Sequence, residues 1–170
     1  MHGIGLLLVA VSLLGPAREP ATVAAPALII ALRPLEARAA RIVERGLARS
    51  ASFRNLTANA GARTVVYVAM DPDLAAGLRG VTRLMRASAD DRMMLIVLNP
   101  RACDDDLAAV LGHELQHVAE MTEARVTTTA EVEAHYRKHG ISGSEGRFDT
   151  LAAWEAGKRI RMELAAATGK

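Results

Sequence analysis

The sequence is poor in several residue classes, and each shortage excludes a kind of protein. A single cysteine, Cys103, among 170 residues leaves no intrachain disulfide and no cysteine-rich zinc site. Aromatic residues make up only 3% of the chain, so its core has to be built from aliphatic side chains and methionine. The net charge is only +2, and no long run of lysine or arginine is present, which argues against a dedicated nucleic-acid binder.

The apolar run near the N-terminus is too short to cross a bilayer as a helix, which takes about 20 residues. Residues 4–14 (IGLLLVAVSLL) have instead the length of the apolar region of a secretory signal. Small residues follow at Gly15 and Ala17, the two positions before the cleavage site that a signal peptidase recognises. We therefore predict a signal peptide over residues 1–17, cleaved after Ala17, and export to the periplasm or out of the cell. Contact with a membrane is expected only if this segment stays uncleaved.

The remaining pattern predicts a linker over residues 18–34, rich in proline, and one α+β domain over residues 35–170. Strands are predicted at residues 64–70, 81–85 and 92–98, and the last is expected to be covered on both faces because it is almost continuously apolar. Predicted helices cover residues 35–49, 104–121, 130–138 and 148–167, and a short one runs from a cap at Ser50 or Ser52 to about residue 59. Residues 140–146 predict a flexible loop.

The strongest functional signal is the stretch LGHELQHVAE, residues 111–120. His113 and His117 are one turn apart on the same face of the predicted helix, where two neutral imidazoles can bind one Zn²⁺ ion. Glu114 is rotated by about 100° from them, so it is not placed to be a ligand but can take a proton from a zinc-bound water. The neighbouring residues are uncharged, as a dry metal-binding helix requires, and Gly112 is expected to let a strand approach closely.

This motif resembles the HExxH signature of the zincin metallopeptidases. The form HELQH, followed by Glu120, is similar to that of small exported bacterial HExxH proteins, and residues 148–157 (FDTLAAWEAG) resemble a second segment of theirs, [FY]-E-T-x-A-A-x-x-x-G. The resemblance implies a zincin-like fold, in which a small, mainly antiparallel sheet packs on the HExxH helix and further helices follow. It also implies a Zn²⁺ cofactor and a peptide or protein substrate.

The third zinc ligand is less well defined by the sequence. A catalytic zinc site has three protein ligands, and the metzincin continuation is absent because Glu120 and Glu123 stand where its glycine and third histidine would be. The family segment implies Asp149, although relatives usually carry glutamate there, and an aspartate at this place could instead cap the last helix. The alternatives are carboxylates on the two predicted C-terminal helices: Glu131, Glu133 and Glu155.

Other residues are predicted to support the site or the core. Glu120 and Gln116 are placed to orient the histidines, as metal-bound imidazoles usually require. Tyr136 is expected to pack at a helix end rather than to stabilise an oxyanion, and Trp154, the only tryptophan, to anchor the core.

The sequence thus predicts a zinc metallopeptidase with His113, His117 and Asp149 as ligands and Glu114 as the general base. The alternative is a zincin-fold binding module that has lost catalysis, which the aspartate at position 149 and the short chain would allow. The two hypotheses differ in the turnover of a peptide, since both are compatible with a bound metal.

Overall fold

The structure of the chain, a computed structural model, describes residues 31–59, 63–88, 91–142 and 148–169. The predicted signal peptide, most of the predicted linker and most of the predicted loop at 140–146 lie outside these residues. None of the described helices combines the length and apolarity that a membrane crossing requires.

The described residues form an α+β fold with five helices and six strands. The predicted α+β class is therefore confirmed. The helices are α1 (Ala37–Arg49), α2 (Ala51–Asn59), α3 (Asp104–Glu123), α4 (Thr129–His139) and α5 (Leu151–Thr168). The strands are β1 (Ala31–Pro34), β2 (Thr64–Met70), β3 (Gly80–Ala87), β4 (Arg92–Leu98), β5 (Ile141–Ser142) and β6 (Phe148–Asp149).

The main sheet has the strand order β1-β2-β4-β3 and is mixed, so the prediction of a mainly antiparallel sheet was wrong. The pairs β1–β2 and β2–β4 are parallel, and only β3 runs antiparallel, against β4. A parallel pair needs a crossover connection. Helices α1 and α2 provide it between β1 and β2, and the chain crosses from β2 to β4 through β3.

Strand β1 lies in the segment that the sequence assigns to a linker. Its residues pair with β2, and just beyond it the backbone N–H of Leu35 donates to the carbonyl of Val68 at 2.9 Å. Pro34, which suggests a linker in the sequence, is tolerated because β1 is at the edge of the sheet, where a missing N–H costs no ladder bond. The fold therefore begins before residue 35.

The sheet packs its helices against one face. Five residues of β2 and β4 on this inner face are fully buried: Val66, Val68, Met94, Ile96 and Leu98. The apolar run of β4 suggests that both of its faces are covered along the whole strand. On the outer face, however, Leu95 is half-buried and Met93 is 38% exposed.

Capping residues and charges explain where the helices begin. Ser50 caps α2, since its Oγ accepts the backbone N–H of Phe53 at 3.0 Å. Three aspartates open α3, where the helix dipole favours negative charge, and each pairs with an arginine of another helix. The last helix begins at Leu151 rather than at residue 148, because Phe148–Asp149 pairs with β5 and Thr150 is the N-cap.

Two glycines allow α3 and α5 to pack closely. A Cβ atom at Gly112 would overlap the Cδ1 of Ile160, so the glycine makes room for α5. The prediction that it lets a strand approach closely was wrong. A Cβ atom at Gly157 would lie 3.2 Å from the Cβ of His113 and 3.3 Å from the carbonyl oxygen of Ala109. This contact brings the N-terminal half of α5 alongside the HExxH motif.

Candidate metal centre

The structure brings together the three side chains that the sequence predicts as metal ligands. His113 and His117 project from α3, and Asp149 ends β6, directly before the cap of α5. The Oδ1 of Asp149 lies 3.3 Å from the Nε2 of His113 and 3.6 Å from the Nε2 of His117. One ligand atom from each residue lies within 4.8 Å of the others. We refer to the candidate site formed by His113, His117 and Asp149 as the metal centre.

Two of the ligand distances and the donor atoms of the metal centre are compatible with zinc. Two atoms bound to a tetrahedral Zn²⁺ ion at about 2.0–2.2 Å are about 3.3–3.6 Å apart. The two nitrogen–oxygen distances at Asp149 match this spacing. Two imidazoles and one carboxylate are also a common ligand set of catalytic zinc, which keeps a fourth position open. The side chain of Asp149 is 47% exposed, so solvent reaches the centre.

Glu120 fixes the imidazole of His117. Its Oε2 lies 2.9 Å from Nδ1, so a proton on Nδ1 leaves the lone pair of Nε2 facing Asp149. Burial alone would lower the pKa of His117, but hydrogen bonds to Asp149 and Glu120 outweigh it and raise the pKa to about 9. The carboxylates that favour this proton would also attract a metal cation at Nε2.

Glu120 also connects His117 to the segment that carries Asp149. The hydroxyl of Thr150 donates to the Oε1 of Glu120 at 2.7 Å, and the backbone N–H of Thr150 donates to the Oδ1 of Asp149 at 2.7 Å. The hydroxyl of Tyr136 donates to the Oε2 of Glu120 at 3.2 Å. Although burial raises the pKa of Glu120, its hydrogen bonds to His117 and Thr150 lower it overall, so this carboxylate is ionised at neutral pH.

Glu114 is turned away from the metal ligands, towards β3. It is only 5% exposed, and its Oε2 accepts the hydroxyl of Thr82 at 2.7 Å. A Cβ atom at Gly80 would lie 2.8 Å from the Oε1 of Glu114, so the glycine leaves space beside that oxygen. Burial raises the pKa of Glu114, which makes its carboxylate a stronger proton acceptor.

A cleft of about 530 Å³ opens beside the metal centre and contains His113 and Glu114. Trp154 is 57% exposed and lines this cleft, so the prediction that it anchors the core was wrong. The core residues do not include Trp154, because α5 packs directly on α3 at Gly157 and the aliphatic side chains fill the core between them. The other lining residues come from α3, α5 and the segment at 77–80: Gly77, Leu78, Arg79, Gly80, Ala109, Val110, Gly157, Lys158 and Arg161.

The alternative third ligands lie away from the two histidines. Glu131 forms the capping box of α4 with Thr128, and Glu133 is exposed. Glu155 lines a different groove, between α2, α3 and α5. Among the described residues, Asp149 is therefore the carboxylate that joins the two histidines.

Tyr136 is buried, as the sequence analysis expects, but its hydrogen bonds to the site were missed. Its hydroxyl lies 3.3 Å from the Nδ1 of His117 and 3.2 Å from the Oε2 of Glu120. No local pattern marks this role, because the contact depends on how the turn after α3 folds α4 back onto it.

The first prediction concerns Glu120. Glu120→Gln keeps the shape of the side chain but removes the negative charge that holds His117, so zinc affinity should fall by about 10- to 100-fold. Competition with a chromophoric chelator measures this affinity. Glu123→Gln, an exposed position on the same helix, is the matched control and should bind zinc like the parent. Equal affinity of Glu120→Gln and the control would contradict the positioning role.

Comparison with known proteins does not assign the chain to a family. No protein-family model, no curated protein and no solved structure matches it. A function for this chain therefore rests on the metal centre, the buried glutamate and the cleft.

Proposed function

We propose that this protein is a zinc-dependent hydrolase that acts on peptide or protein substrates, with a zincin-like arrangement of sheet and HExxH helix. The observation that carries the proposal is the convergence of His113, His117 and Asp149 beside a buried glutamate in an open cleft. The predicted signal peptide would place this activity in the periplasm or outside the cell.

In this proposal His113, His117 and Asp149 hold the zinc ion, and Glu114 moves protons. Bound zinc would supply Lewis-acid chemistry, polarising the carbonyl of the substrate and lowering the pKa of water towards about 7. Glu114 accepts the proton of the attacking water and returns it to the leaving amine. Thr82 occupies the Oε2 of Glu114, whereas no side chain covers Oε1 from Gly80, which lines the cleft together with Glu114.

Strand β3 offers a way to hold an extended substrate. It is the edge strand of the sheet next to α3, and Gly80 at its start lines the cleft. A peptide can add to such an edge through main-chain hydrogen bonds, which do not depend on sequence. The ladder is irregular between Leu84 and Arg86, so the regular stretch available for pairing is residues 80–84.

The second prediction tests the proposal as a whole. The full chain, stripped of metal and then supplied with zinc, should bind about one zinc ion per chain. It should also hydrolyse an unfolded protein substrate, lose that activity with a chelator and regain it with zinc. Mass spectrometry under native conditions and a peptide-release assay measure the two properties. The variant with both His113→Ala and His117→Ala should show neither.

The two measurements separate the proposal from its alternative. Zinc bound without hydrolysis of any protein or peptide tested would favour the inactive binding module. No zinc bound would overturn the proposed metal centre itself.

A further inference from the structure

Positively charged side chains line part of the cleft beside the metal centre. Asp106 lies two helical turns before His113 on α3, which is about 10 Å along the helix axis. Arg79 reaches the Oδ1 of Asp106 from one wall at 3.6 Å, and Arg161 reaches the same oxygen from α5 at 3.1 Å. Two guanidinium groups thus share one carboxylate, and both line the cleft and are about half exposed.

Lys158 adds a third positive charge to the lining of the cleft. It follows Trp154 by one turn of α5, and its Nζ lies 5.4 Å from the centre of the indole ring. In the part of the chain that the structure describes, Lys158 has no carboxylate within ion-pair distance, whereas both arginines pair with Asp106. These three cations and Asp106 therefore carry more positive than negative charge, and among the described residues Lys158 is a cation without an acidic partner.

Gly157 explains why these side chains face the cleft. Residues 154, 157, 158 and 161 lie on one face of α5, because they are three or four positions apart. The absence of a side chain at Gly157 lets this face approach His113. Trp154, Lys158 and Arg161 therefore line the same cleft as His113 and Glu114, and not the groove that contains Arg159.

On the basis of the proposed hydrolase function, we infer that the cleft binds a carboxylate of the substrate, with Lys158 as a specificity-determining residue and Trp154 as a platform beside it. An acidic side chain and the C-terminal carboxylate of a peptide share this chemistry. The cleft therefore selects acidic peptides or peptide ends over neutral chains.

The experiment, which is the third prediction, uses Trp154, the only tryptophan of the chain, as the reporter of binding. Full-length Glu114→Gln protein, supplied with zinc, is titrated with short alanine–leucine peptides while its fluorescence is recorded. Amidated peptides carry a glutamate near either end or glutamine in its place, and a glutamine peptide with a free C-terminus completes the set. At least one carboxylate peptide should bind about three- to tenfold more tightly than its neutral counterpart, and added salt should reduce the difference.

Lys158→Met should remove most of this preference while neutral peptides bind as before. Arg159→Met is the matched control, since it removes a positive charge from the next position on α5, which lines the other groove, and should keep the preference. A preference for glutamate identifies the side chain as the source of the carboxylate, and a preference for the free C-terminus identifies the peptide end. Equal binding of charged and neutral peptides by the parent, or an unchanged preference in Lys158→Met, would overturn the inference.

Failure of this inference can be told apart from failure of the proposed function. A carboxylate preference in a protein that hydrolyses no peptide would uphold the binding site and overturn the hydrolase. Hydrolysis of acidic and neutral peptides at equal rates, together with equal binding, would uphold the hydrolase and overturn the carboxylate-binding site.

Discussion

Replacing Asp149 with alanine is expected to weaken zinc binding by more than about 100-fold, which exceeds the usual effect of removing a residue that only supports a ligand. Its Oδ1 lies between the two imidazoles, 3.3 Å from one Nε2 and 3.6 Å from the other. Because the Asp149 side chain is half exposed, its removal leaves no cavity in the core. Competition with chelators of graded affinity measures the dissociation constant of zinc.

Glu155→Ala is the matched control for this fourth prediction. Glu155 is an exposed carboxylate on α5, one of the alternative ligands that the sequence leaves open, and it lines a different groove. We expect Glu155→Ala to bind zinc with the affinity of the parent. Unchanged zinc affinity in Asp149→Ala would contradict the assignment of Asp149 and show that the third ligand is another residue. Thermal unfolding of both variants without metal should be similar, which separates loss of a ligand from loss of the fold.

Glu114→Gln is expected to keep the zinc ion and to lower kcat by about 100- to 10,000-fold, the usual contribution of a general base. Glutamine has the shape of glutamate, and its amide oxygen can still accept the hydroxyl of Thr82. What it lacks is a carboxylate that can take a proton from water. Initial rates of peptide hydrolysis at saturating substrate, with zinc content measured on the same sample, test this fifth prediction.

The controls for Glu114→Gln separate chemistry from folding. Glu123→Gln makes the same chemical change at an exposed site on α3 and should keep full activity. The Glu114→Gln protein should also unfold at nearly the temperature of the parent, because the buried hydrogen bond to Thr82 remains. Retained turnover in Glu114→Gln would assign the general base to another group and leave the metal centre unaffected.

The elements with strong local patterns were predictable from the sequence. Strands β2 and β4 begin and end where their β-branched and apolar runs do, and α3 begins at the three aspartates that favour a helix N-terminus. The spacing of His113 and His117 places both on one side of a helix whatever surrounds it. These features depend on residues close together in the chain, so a pattern can reveal them.

The parts that were missed depend on contacts between distant segments. Strand β1 has only four residues and ends in proline, and it is recognisable only through its pairing with β2. Trp154 lies in the cleft rather than in the core because Gly157 packs against His113, which its own neighbours do not indicate. In the same way, the resemblance implied Asp149 as a ligand, but only the folded chain brings it to the histidines.

The origin of the ligands from two separate segments has a consequence for assembly of the chain. His113 and His117 belong to α3, whereas Asp149 follows α4 in the chain and directly precedes the N-cap of α5. A cation held by all three would act as a cross-link that closes a long loop, and such closures reduce the entropy of the unfolded chain. Part of the binding free energy of the metal would then be folding free energy, and the docking of α5 on α3 would be coupled to metal supply.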